Sequence, residues 1–158
     1  MSTPSTAMQQ LYQQLILDHA REKHGFGDLA APTGTSRQYN PLCGDEVTLK
    51  IEVAQGAVAH VAWTGDGCSI SQASTSVLHD LVTGRPVSEA LEVLATFRDL
   101  VRSRGQVEPD EELLGDAVAF AGVGRHANRV KCAMLGWTAL EDALLQSGTQ
   151  GAGGEGDE

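Results

Sequence analysis

The run "VTLKIEV" at residues 47–53 constrains the fold of this chain more than any other stretch. Val47, Leu49, Ile51 and Val53 alternate with Thr48, Lys50 and Glu52, and a period of two puts the apolar set on one face of a half-buried strand. Gln55 and Gly56 form a turn, and "AVAHVAW" supplies the returning strand of a hairpin. Helical patterns on either side of the hairpin can cover its apolar face.

Over residues 5–24, Met8, Leu11, Tyr12, Leu15, Ile16 and His19 recur at the spacing of one helix face, with Ser5 as cap and Gly25 as stop. "GDGCSISQASTSVLHDLVTG" reads as a glycine turn entering a helix with the stripe Ile70, Ala73, Val77 and Leu81. A third helix starts near Pro86 and Ser88 and shows Ala90, Leu94, Phe97 and Val101 on one face. The acidic stretch "VEPDEELLGDAVAFAGVG" is expected to be part loop and part short helix. A last helix over residues 127–146 packs Ala133, Trp137, Leu140 and Leu144, with Trp63 and Trp137 in the core. Strands first and helices after predict an α+β fold, a small antiparallel sheet with helices on one face. Residues 1–146 make a single domain, and residues 147–158, Gly-rich and acidic, are expected to be a disordered tail.

The length of 158 residues suits one domain with a real core. No apolar run approaches the roughly 18 residues of a membrane helix. A net charge of −10 argues against nucleic acid, whose binding depends on neutralising phosphates. "MSTPSTAMQQLYQQL" carries no basic segment or apolar core of a secretory signal, so a cytoplasmic location is expected. Three cysteines in such a chain do not suggest a disulfide framework.

Each cysteine sits at the boundary of an element. Cys43 lies in "NPLCGD", Cys68 in "GDGCS" where a strand turns into a helix, and Cys132 in "RVKCAM" within the first turns of the last helix. The free N–H groups of a helix N-terminus favour an anionic sulfur at Cys68, and Arg129 and Lys131 do the same for Cys132. Asp45 shares a face with Cys43 in extended chain. Three thiolates and a carboxylate suit tetrahedral zinc, and a carboxylate among thiolates suggests a position meant to exchange. The spacing holds no C-x-x-C pair, so on local chemistry alone buried packing, reactive thiol and metal ligand all stand open. Among the histidines, His19 reads as core or edge and His24, His60, His79 and His126 as surface.

The segments "LYQQLILDHAREKHG", "NPLCGD", "GDGCSISQAS" and "NRVKCAMLGW" resemble, in that order, the U-type iron–sulfur cluster assembly proteins, the NifU N-terminal/IscU-like family, up to about Leu145. Within it the chain is similar to the SufU branch. Lys131 stands before Cys132 where scaffold members carry histidine, the chaperone-read "Leu-Pro-Pro-Val-Lys" segment is absent, and residues 86–114 lengthen the span between the second and third cysteines.

The resemblance implies a three-stranded antiparallel sheet with helices on one face, and Zn2+ held by Cys43, Asp45, Cys68 and Cys132. It implies a PLP-dependent cysteine desulfurase of SufS type as partner, with downstream Suf assembly proteins as recipients. Sulfur would pass as a persulfide to Cys43 in a zinc-dependent sulfurtransferase reaction, with Arg129 stabilising the released thiolate. The alternative is a scaffold on which a [2Fe–2S] cluster is assembled and transferred. "REKHGFG" and "GRHANR" depart from the family pattern near the expected docking surface.

Overall fold

A computed structural model describes residues 6–42, 44–103 and 110–153. Their order is α1 (Thr6–Glu22), β1 (Gly34–Asn40), β2 (Asp45–Ala54), β3 (Ala57–Asp66), α2 (Ser69–Val82), α3 (Val87–Arg102), α4 (Glu111–Leu114), a 3-10 segment (Gly115–Arg125) and α5 (Ala127–Gly153). None of these helices is long and apolar enough to cross a membrane.

The strands form one antiparallel sheet in the order β1-β2-β3, and with the helices they make the expected α+β fold. Leu49 pairs with Trp63 and Ile51 with Val61, so the apolar faces of β2 and β3 coincide and are buried. The third strand, "GTSRQYN", shows no apolar alternation. Its inward positions are Gly34, Ser36 and Asn40, all buried. The reason lies in α5, which passes so close that a Cβ at Gly34 would run into the Ala143 carbonyl. A strand under so near a helix has no room for large side chains, and its hydrophobic signal disappears.

α1 buries a narrower face than its periodicity predicts. His19 is buried and Tyr12, Ile16 and Ala20 pack against the core, whereas Met8 and Leu11 are exposed. Ser5, the expected cap, lies outside the described residues. The chain leaves α1 through Lys23 and Gly25, both at positive φ, and then lies against β3: Gly27 N–H donates to the Trp63 carbonyl and Trp63 N–H to that of Gly25. Trp63 Nε1–H donates to the His24 carbonyl, and its ring meets Phe26 edge to face at 5.0 Å.

α2 and α5 form the centre of the helical layer. α2 buries Ser71, Ser74, Thr75 and Ser76 beside Ala73 and Val77, small side chains that let neighbouring helices approach. Gly136 of α5 sits directly on Thr75, where a Cβ would collide with the threonine side chain. Ser74 Oγ donates to the Ala133 carbonyl at 2.6 Å and accepts from Trp137 Nε1–H at 2.9 Å. Buried hydrogen bonds of this kind cost more to leave unmade than they contribute when made, so they fix the register of the two helices. Phe97 of α3 stacks on Trp137 at 4.4 Å.

α5 continues to Gly153, past the expected end at residue 146. Ser147, assigned above to a disordered tail, is buried: its hydroxyl donates to the Ala143 carbonyl and lies 2.8 Å from Thr33 Oγ1. Tertiary contact here overrides a glycine-rich composition. Residues 154–158 lie outside the described part.

Candidate metal centre

β2, α2 and α5 each bring one donor to the same place. Asp45 is the first residue of β2, Cys68 caps the N-terminus of α2, and Cys132 lies in the second turn of α5. Their ligand atoms all lie within 4.8 Å of one another. The residues come from positions 45, 68 and 132, so only the register of the sheet and the α2–α5 packing bring them together.

Asp45 is 1% exposed, which for a carboxylate demands compensation. Its Oδ1 accepts the Cys68 backbone N–H at 2.8 Å, and its Oδ2 lies 3.3 Å from Cys68 Sγ. The carboxylate therefore sits at the positive end of α2, where a negative charge is favoured. Gly67 makes the approach possible, because a Cβ there would stand 2.5 Å from Asp45 Oδ1. The turn is braced from α2: Ser71 Oγ donates to the Cys68 carbonyl and Gln72 Nε2 to that of Gly67. Neither residue stood out in the sequence; the run of small polar residues after Cys68 was the available signal.

Cys68 reaches the surface and Cys132 is buried. The donor set is therefore shielded on one side and approachable from the other. Two sulfurs and a carboxylate oxygen match the ligand types of zinc, and their separation matches one ion with about 2.0–2.3 Å bonds after small side-chain rotations. Cys43 lies outside the described residues. Its flanks are placed: Leu42 N–H donates to Asn40 Oδ1, and Gly44, at φ 71, donates its N–H to the Asn40 carbonyl. Arg129 is exposed, one turn before Cys132, and forms no ion pair among the described residues. His126 is exposed and, among the described residues, is not part of the cluster.

Beside the centre runs a groove of about 750 Å³ between the end of β1 and the start of α5, lined by Tyr39, Pro41, Leu42, Lys131 and Met134 among others. Leu42 and Tyr39 are 68% and 53% exposed, so apolar surface faces solvent directly before Cys43 in the chain.

A second polar group gathers toward the other end of α2. His24 Nδ1 lies 2.6 Å from Asp80 Oδ2 and its Nε2 2.8 Å from Glu22 Oε1; these hydrogen bonds, Asp80 first, raise the His24 pKa above the ordinary histidine value. Burial pushes the Asp80 carboxyl up, but hydrogen bonds from His24 and His79 outweigh it and leave the pKa low. His19, placed in the core or at an edge by its helical position, is buried between Ser76 and Asp116.

Known proteins resemble this chain along most of its length. The family described as NifU-like N terminal domain matches residues 11–133. The iron–sulfur cluster assembly scaffold protein IscU of Streptococcus pyogenes serotype M1 is 35% identical over 137 residues, 87% of this chain and 84% of that protein. The zinc-dependent sulfurtransferase SufU of Bacillus subtilis (strain 168) is 34% identical over 137 residues, 86% of this chain and 90% of its own. Among solved structures, a SufU from Fervidobacterium islandicum AW-1, proposed as the assembly scaffold of the SUF system, superposes with a TM-score of 0.77 at 34% identity, covering 85% of this chain and 97% of that one. The N-terminal part of a NifU-like protein from Brucella abortus shares the fold, with a TM-score of 0.80 at 24% identity over 90% of this chain and 97% of its own. Sequence, fold and the convergence of Asp45, Cys68 and Cys132 agree, and the chain belongs to the NifU-like N-terminal domain family.

Proposed function

We propose that this protein serves iron–sulfur cluster assembly as a zinc-dependent sulfur acceptor of the SufU kind, taking persulfide sulfur from a PLP-dependent cysteine desulfurase. Cys43, Asp45, Cys68 and Cys132 would hold the zinc. When bound, the ion would keep the sulfurs ionised and shielded from oxidation. The reading is carried by one observation: Asp45, Cys68 and Cys132 converge from three separate elements. Three donors held in this way would stay assembled while Cys43 exchanges between the zinc and sulfur transfer.

In the transfer, the Cys43 thiolate attacks the outer sulfur of the desulfurase persulfide. A new S–S bond forms on Cys43, the partner's S–S bond breaks, and the partner cysteine leaves as thiolate, so no external oxidant is needed. Arg129, one turn before Cys132, would supply charge-assisted hydrogen bonds to the anionic sulfur. The exposed Leu42 and Tyr39 and the adjoining groove offer apolar surface for the desulfurase to dock. Lys131, in place of the histidine found before the third cysteine in scaffold members, favours the SufU branch. The cytoplasm is the expected compartment.

The test is the alanine-forming turnover of a SufS-type cysteine desulfurase with a thiol reductant, with and without the zinc-loaded protein. Stimulation that disappears with Cys43→Ala is the expected result. A second reading is favoured by the 35% identity to a protein named as scaffold: the same residues would then carry a [2Fe–2S] cluster as cargo. Absence of stimulation, together with a stable cluster formed by anaerobic reconstitution and transferable to an apo-acceptor, would replace the first reading with this one.

A further inference from the structure

The polar group between α1 and α2 is a second place where donors converge. His19, His24 and Asp80 each present a ligand atom, all within 4.8 Å of one another. Two of them come from the end of α1 and the segment after it, and the third from α2. The His19 and His24 rings meet edge to face at 4.7 Å. Tetrahedral bonds of about 2.1 Å to nitrogen and oxygen place donor atoms about 3.4 Å apart, so modest ring rotations close the remaining distance.

Neighbouring groups hold these side chains as the outer ligands of a metal site do. His24 has Asp80 on one ring nitrogen and Glu22 on the other. Asp80 offers Oδ2 to His24 while His79 Nδ1 holds its Oδ1 at 2.9 Å. His19 has Ser76 on one nitrogen and Asp116 on the other, so either ring can turn one nitrogen to an ion and keep a partner on the second. Three carboxylates, Glu22, Asp80 and Asp116, face these imidazoles; Arg21, 3.8 Å from Glu22, is the cation paired to them among the described residues. The excess is negative and favours a cation. His19 is buried, while the His24 and Asp80 side chains are 35% and 43% exposed, which leaves an entry path and room for water.

A catalytic reading fails on burial. Ser76, His19 and Asp116 have the connectivity of an acyl-transfer triad, but Ser76 is 0% exposed and its hydroxyl already accepts the His24 backbone N–H at 2.9 Å.

We propose that His19, His24 and Asp80 form a second divalent transition-metal site, distinct from the thiol centre, that ties the end of α1 to α2. Two imidazoles and a carboxylate suit zinc, cobalt or nickel. The site lies toward the opposite end of α2 from Cys68, twelve residues along the chain and thus about 18 Å along the helix axis, so the two fill independently.

Cobalt(II) tests this, because cobalt bound to thiolates shows a sulfur-to-metal charge-transfer band and cobalt bound only to nitrogen and oxygen does not. The full-length wild-type protein, titrated with cobalt(II), should take up one equivalent that carries the band and a second that does not. His24→Ala and Asp80→Asn should each remove the second equivalent and leave the band unchanged, with far-UV circular dichroism confirming the fold. Retention of the silent equivalent in either variant, or its absence from the wild type, overturns the proposal. The outcome is separable from the reading of the thiol centre, since failure there removes the band and leaves the uptake that depends on His24 and Asp80.

Discussion

The two ends of α2 hold ionisable side chains in opposite ways. At the N-terminal end, Asp45 and Cys68 share one backbone hydrogen bond, and among the described residues the Cys68 sulfur makes only long contacts, 3.3 Å to Asp45 and 3.9 Å to Ser71. Toward the C-terminal end, both nitrogens of His19 and of His24 lie within 3.1 Å of an oxygen. Sulfur is a weak hydrogen-bonding atom and imidazole a strong one. The thiol end would therefore gain most from a metal ion, whereas the imidazole end is hydrogen-bonded without one.

That contrast can be broken or sharpened experimentally. The largest effect is expected for Trp137→Ala, which removes a fully buried ring stacked on Phe97 and the hydrogen bond that pins α5 to Ser74. A loss of about 3–5 kcal/mol is expected in urea unfolding of the metal-free protein, with the cobalt charge-transfer band weakened as the Cys132-bearing helix loosens. Asp45→Ala should come next, at about 1–3 kcal/mol, because the Cys68 N–H loses its acceptor. Here the band should be lost or displaced while cobalt uptake at the imidazole end persists; an unchanged band would remove Asp45 from the centre.

Ser76→Ala sharpens the other side. It takes a partner from His19 and from the His24 backbone N–H, and should cost about 1–2 kcal/mol with the thiolate band untouched. A fall in the band would show that the two ends are coupled through α2. The smallest effect is expected for Arg98→Ala, which breaks a partly exposed pair with Glu141 remote from both clusters. Less than about 1 kcal/mol is expected by the same unfolding measurement, with neither metal equivalent altered.

Much of this architecture was legible in the chain. The β2–β3 hairpin announced itself by strict alternation, and α3 and α5 bury the apolar faces their periodicity marks. β1 was silent because its inward positions are glycine, serine and asparagine beneath a closely passing α5; the third strand came from the family resemblance instead. The glycine-rich end of α5 misled for a related reason, since Ser147 is held by Thr33, a contact 114 residues away that composition cannot show. At the thiol centre the residue types and their turn positions were readable, and Asp45, Cys68 and Cys132 do meet. Their meeting depends on the seating of Gly67 against the Asp45 carboxylate, a backbone fact with no periodic signature. The imidazole cluster left no local trace, because His19 and Asp80 lie on different helices, and His19 and His24 read separately as a core or edge residue and a surface residue.

The crossing of Gly136 on Thr75 has a consequence for ion size. With Gly136 seated on the Thr75 side chain and Ser74 bonded to both Ala133 and Trp137, α5 is held in register on α2, and this packing sets the span between the helices that carry Cys68 and Cys132. Of the three described donors, Asp45 alone belongs to a strand and not to that pair of helices. An oversized ion such as cadmium should therefore push the carboxylate outward before it parts the sulfurs. In the proposed zinc centre the oxygen donor would thus be the ligand that yields first to a larger ion.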